Sequence, residues 1–110
     1  QVCLPLYSNP NVPTAGAFRD RAIERPEVAF HFFSDEMAHM DMRAEIANIT
    51  CPTLVIGGAI DPVTPPICSE AIADAIGDNA RLQVLEGCGH GPHRDNPKGA
   101  EKIMRHFLAD

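Results

Sequence analysis

Positive charge is scarce in this chain. Nine Lys and Arg stand against fifteen Asp and Glu, for a net charge of −6 at neutral pH, and such a balance does not readily supply the basic surface that a phosphate backbone requires. The composition therefore argues against a nucleic-acid partner. Long apolar runs are missing too. None approaches the roughly 20 residues of a membrane span, and the N-terminus has no charged segment leading into an apolar core, so neither a transmembrane helix nor a signal peptide is visible. Cysteine is sparse: Cys3, Cys51, Cys68 and Cys88 show neither Cys-x-x-Cys spacing nor the density of a disulfide scaffold. They read as reduced thiols of a cytoplasmic protein, with Cys51 and Cys68 as small core residues. Repeats and low-complexity tracts are absent. With 45% apolar and 22% charged residues over 110 positions, what remains is the composition of a folded globular domain. Gln1 is not an initiator methionine, so upstream residues are expected to be missing, and a signal peptide could have been among them.

The chain is organised around Cys51-Pro-Thr-Leu-Val-Ile-Gly-Gly-Ala-Ile-Asp61. A short apolar run ending in glycines and an aspartate reads as a buried strand that delivers a carboxylate into a loop. A second unit of the same shape follows, in which Arg81-Leu-Gln-Val-Leu-Glu86 is strand-like and Gly87-Cys-Gly-His90-Gly sets a histidine in a glycine-rich loop. Between them Thr64 is expected as N-cap, Pro65 as the first helical residue and Gly77 as C-cap. Cys68, Ala71, Ile72, Ala75 and Ile76 share a face at helical spacing. Strand, helix and strand make a βαβ crossover, which leaves the strands parallel and their loops at one sheet edge. The separation of 90 − 61 = 29 residues is what one crossover consumes. Asp61 can then reach the Nδ1–H of His90.

Upstream, residues 1–16 with Pro5, Pro10 and Pro13 favour an irregular strap or lid remnant. Ala15 to Arg25 can form a short helix. Pro26 opens a second, running to about His39, whose stripe of Val28, Ala29, Phe32, Phe33, Ala38 and Met40 is expected in the core. His31 and His39 are expected at the surface. Met42 to Ile49 reads as another helix with Asp41 as N-cap. At the C-terminus, Asn96-Pro97 starts a helix in which Ala100, Ile103, Met104, Phe107 and Leu108 recur on one face, with Arg94 and Asp95 expected to form a local turn and cap.

The wording from Cys51 to Pro65, followed by Leu85-Glu-Gly-Cys-Gly-His-Gly91 and a final amphipathic helix, resembles the C-terminal end of an α/β-hydrolase of the proline-iminopeptidase-like branch. In that family the triad acid follows the seventh strand, the histidine follows the eighth, and the nucleophilic serine of a Gly-x-Ser-x-Gly elbow lies upstream of both. The resemblance implies Asp61 as acid and His90 as base. No Gly-x-Ser-x-Gly occurs here; Ser8, Ser34 and Ser69 all lack the flanking glycines. The expected fold class is therefore α/β: a C-terminal α/β-hydrolase fragment with two parallel strands, a crossover helix, a C-terminal helix and cap-derived N-terminal helices. Residues 1–40 would belong to the cap or lid and 41–110 to the hydrolase core.

The implied function is amide, ester or aminopeptidase-type hydrolysis of a small molecule or short peptide, with no cofactor and with this chain inactive by itself. A fragment of a parallel sheet is also expected to self-associate. The spacing His90-Gly-Pro-His93 raises a metal site with Cys88 and Asp95, disfavoured because zinc needs three or four ligands oriented by their neighbours. The alternative class of function is a small non-catalytic α/β interaction domain.

Overall fold

The computed structural model describes Tyr7, Asn9, Asn11 and residues 23–109. In order along the chain come α1 (Pro26–His31), which continues through a π-helical turn (Phe32–Glu36) and Met37–His39, then α2 (Arg43–Ile46) and β1 (Thr53–Gly58). There follow α3 (Pro66–Ile76), a 3₁₀ turn (Gly77–Asn79), β2 (Ala80–Leu85), α4 (Pro92–Asp95) and α5 (Pro97–Ala109). The strands pair in parallel from Thr53 opposite Ala80 to Gly58 opposite Leu85. This is the crossover that the spacing predicts, and β1 carries no second neighbour among the described residues.

The core is small and sits where β1, β2 and α5 meet. Leu85, Cys88 and Ala100 are buried together, with Ile56 and Ile103 packed on them. Ile76, also buried, anchors the end of α3. Withdrawing a side chain of that size from water stabilises the fold by about 1.5–3 kcal/mol. Along β2, Leu82 and Val84 are half-buried while Arg81 and Gln83 are exposed, the period-two pattern of a strand.

Several sequence expectations change once the chain is folded. Helix α3 begins at Pro66 with Pro65 as N-cap, because the Thr64 side chain is engaged elsewhere. Its inward face is Ser69, Ala73 and Ile76 rather than Cys68, Ala71 and Ile72. The reason is close packing: a methyl at Gly57 would lie 2.6 Å from Ser69 Oγ, so this helix approaches the strand through a serine and a glycine. Cys68 is thereby turned outward, and Cys51, which precedes the strand, is exposed as well. The aromatic stripe of α1 is not core either. Only Phe32 is half-buried, since α1 packs chiefly on its own continuation, with Phe32 edge-on to Phe33 at 5.3 Å. His31 and His39 are exposed, as expected.

At α2 the cap is Met42, while Asp41 reaches back to the Arg43 amide at 3.2 Å and to its guanidinium. The N-cap of α5 is Asn96, whose Oδ1 accepts the Gly99 N–H at 2.9 Å; Asp95 is occupied elsewhere. On α5, Ala100, Ile103 and Phe107 face inward while Leu108 is exposed. The helix proposed for Ala15–Arg25 lies almost wholly outside the described residues. No helix among them is long and apolar enough to cross a membrane.

Past Gly58 the two segments stay joined. Ala59 N–H donates to Leu85 O at 3.0 Å and Ile60 N–H to Cys88 O at 3.0 Å, so the parallel pairing leads directly into the two loops. Gly58 is where this is tightest, because a Cβ there would collide with the carbonyl oxygens of Cys88 and Gly89. Backbone cannot move aside as a side-chain tip can. Gly58→Ala is therefore expected to destabilise the protein by about 2–3 kcal/mol, measured by urea denaturation; a loss below about 0.5 kcal/mol, the size of an ordinary surface change, would contradict the close approach.

Candidate active site

Asp61 and His90 stand at the C-terminal ends of the paired strands, each in the loop that follows. His90 Nδ1 lies 2.9 Å from Asp61 Oδ2. The acid is 7% exposed, whereas the imidazole is about a third exposed, at 35% of its side-chain surface. Burial of a carboxylate is costly unless its lone pairs are occupied, and here they are. Val63 and Thr64 donate their backbone N–H groups to Oδ1 at 2.8 and 3.0 Å, while Thr64 Oγ–H donates to Oδ2 at 2.8 Å. The Pro62-Val-Thr-Pro-Pro66 loop thus folds back over its own aspartate.

Burial by itself would push the Asp61 carboxyl up; the bonds from Thr64 backbone and hydroxyl, from Val63 and from His90 outweigh it and hold the pKa down to about 2. The site also defines the histidine tautomer. Asp61 is acceptor-only, and the Thr64 hydroxyl spends its proton on Oδ2, so the Nδ1 that faces both must carry a hydrogen. Thr64 Oγ lies 3.2 Å from Nδ1 and shares that hydrogen. In the neutral imidazole the lone pair is therefore on Nε2.

The rest of the loop shapes this exposure. Gly87 takes φ +66, a left-handed turn that favours glycine, and Cys88 then plunges into the core at 1% exposure. Burial, and secondarily the charge of Asp95, push the Cys88 thiol up, which keeps it protonated and unsuited to attack. His90 N–H donates to Tyr7 O at 2.6 Å, and the Tyr7 ring meets the imidazole edge-on at 5.4 Å. His93 is exposed, and among the described residues no three His, Cys, Asp or Glu side chains are grouped to hold a metal ion. Ser69 is buried within α3, away from any loop.

Thr64 and Tyr7 are the site residues that sequence reasoning missed. A threonine before two prolines signals a helix start, and only the folded position of His90 shows that its hydroxyl faces sideways into the acid–base pair. Tyr7 had a weak signal as the aromatic end of a strap able to cover an apolar site.

Parallel strands joined by a helix, with an acid and a histidine in successive strand-end loops, are the closing part of an α/β-hydrolase fold. The chain belongs to the TAP-like protein family of α/β-hydrolases, whose family model matches residues 34–110. It is 39% identical over 62 residues to BpoC of Mycobacterium tuberculosis, named as a non-heme bromoperoxidase, covering 56% of this chain and 23% of that one. Over 74 residues it is 30% identical to a pimeloyl-[acyl-carrier protein] methyl ester esterase of Xylella fastidiosa, covering 66% and 29%. Among solved structures, a serine hydrolase involved in carbazole degradation, CarC, superposes with a TM-score of 0.75 over 98% of this chain and 45% of its own, at 20% identity. The chain spans about a quarter of the length of these curated relatives.

Two outcomes follow for the pair. Because the folded state lowers the Asp61 pKa from 3.8 to about 2, its contribution to stability is complete above about pH 4 and drains as the pH falls through 2. In urea denaturation, the advantage of the natural protein over Asp61→Asn should shrink by about 2 kcal/mol between pH 5 and pH 2, and a constant difference would refute the assignment. Thr64→Val keeps the shape and removes the hydroxyl, so it should cost about 1–2 kcal/mol at pH 6 and move the acid transition upward. Thr64→Ser should restore most of both.

Proposed function

We propose that these residues supply the acid and the base of a serine hydrolase, Asp61 as acid and His90 as base, with the nucleophilic serine contributed by sequence outside the 110 residues. The observation that carries this reading is the 2.9 Å contact between His90 Nδ1 and an Asp61 carboxylate that is buried and held ionised. In such a site Nε2 takes the proton of a serine hydroxyl as Oγ attacks a carbonyl carbon, and the ionised acid stabilises the imidazolium that forms. Collapse of the tetrahedral adduct passes that proton from Nε2 to the leaving group. Water then repeats the cycle on the acyl-enzyme, and His90 again serves as base and acid in turn.

The substrate class is a small carboxylic ester or amide. An ester is supported by the name of the Xylella fastidiosa relative; aminoacyl amides are what the proline-iminopeptidase-like wording of the loops suggests. Free thiols at Cys51, Cys68 and Cys88 support a reducing, cytoplasmic setting.

The test is hydrolysis of aryl esters and aminoacyl anilides by the protein expressed from its complete reading frame. His90→Ala and Asp61→Asn should each lower kcat by roughly 10³-fold or more while the fold survives by circular dichroism. The proposal fails if hydrolysis persists in His90→Ala, or if the complete protein turns over neither substrate class, as a non-catalytic interaction domain would.

A further inference from the structure

Asp95 is a carboxylate near the site that the acid–base pair does not use. It lies half-buried at the end of α4, turned away from the helix it precedes. Its Oδ2 accepts two backbone N–H groups at once, that of Gly89 at 2.7 Å and that of Asn9 at 2.9 Å. These donors are 80 residues apart in the chain, 89 − 9. Gly89 immediately precedes His90. Asn9 is itself tied to the same loop, its Nδ2 donating to Gly87 O at 2.5 Å and its Oδ1 accepting the Asn11 N–H at 2.9 Å. Two residues earlier the Tyr7 carbonyl accepts the His90 N–H.

Resting on the hydrolase reading, we propose that Asp95 is a positioning residue that clamps the histidine loop to Asn9, so that Asn9 and Tyr7 border the active site and the Tyr7 carbonyl holds the His90 backbone. A neutral acceptor would hold the two amides less firmly, since hydrogen bonds to an ionised oxygen are shorter and roughly twice as strong. Gly87 and Gly89 leave the loop otherwise free to rotate. The two successive peptides that lead into His90 are thus both restrained, one through Gly89 N–H by Asp95 and the next through His90 N–H by the Tyr7 carbonyl. The first of these peptides is also held on its other side, where Cys88 O accepts the Ile60 N–H of the loop after β1. Removing Asp95 breaks no bond to Asp61 or Thr64; it frees the Asn9 and Gly89 amides and with them loosens the placement of Nε2.

The experiment uses the complete protein with Asp95→Ala and Asp95→Asn, and has two readouts. Ester or anilide hydrolysis should show kcat falling about 10- to 100-fold in Asp95→Ala with KM within about twofold, because displacing a catalytic group by about an ångström slows chemistry without changing ground-state binding. Asp95→Asn, which keeps a carbonyl oxygen, should recover part of the loss. Amide hydrogen exchange should show Asn9, Gly89 and His90 opening at least about tenfold faster in Asp95→Ala, with the β1 and β2 amides unchanged. Unaltered exchange at Asn9 and Gly89, or a rise in KM with kcat intact, would overturn the proposal. Should Asp95→Ala fail to fold, the same two readouts on Asp95→Asn decide it. A protein without hydrolase activity whose Asn9 and Gly89 amides still depend on Asp95 would refute the hydrolase reading and leave the clamp standing.

Discussion

The close approach of two backbones at Gly58 governs the molecule. There the end of β1 meets the carbonyls of Cys88 and Gly89 with no room for a side chain, and the pairing of the strands passes into the pairing of their loops through Ala59 and Ile60. Two loops joined in this way cannot move independently. A carboxylate three residues past Gly58 and an imidazole five residues past Leu85 are carried to one place as a consequence of register alone. The core serves the same contact: Cys88, the most deeply buried side chain in it, belongs to the histidine loop, so core packing holds the loop that carries the imidazole.

Around that frame the polar groups are arranged by charge. Asp61 is buried and ionised because four donors meet it, two of them backbone N–H groups of its own loop. Without them desolvation would favour the neutral acid, and a protonated carboxyl could not define the histidine tautomer. Asp95 does for the backbone what Asp61 does for the imidazole, gathering donors onto one carboxylate oxygen. Acidic side chains therefore perform structural tasks in the loops of a chain with few cations. The partners of Asp61 and Asp95 are N–H groups and one hydroxyl rather than lysine or arginine.

The outer surface follows a different rule. Phe30, Phe33, Ile67 and Leu108 are exposed, and β1 has a free edge among the described residues. Apolar surface on this scale ordinarily marks a face that meets another element. The chain aligns with less than half of the CarC structure.

What the sequence determined by itself was the pairing of Asp61 with His90. The strand period, the punctuation of the crossover helix and its length are local properties, and a βαβ unit has only one way to place its two following loops. The C-terminal helix and the glycine turn at Gly87 were legible for the same reason. Where periodicity was weak, tertiary packing decided. Helix α3 carries small apolar residues nearly all round, so its inward face was chosen by the fit of Ser69 against Gly57, and Cys68 was left outside. The stripe on α1 had the right period for a core helix but no described partner to bury it. Thr64 was locally a helix cap and became a ligand of the acid–base pair, and Asp95 was locally a cap and became a clamp on the strap. A short polar side chain has several satisfactory local partners, and only the folded chain brings up the distant group that outcompetes them.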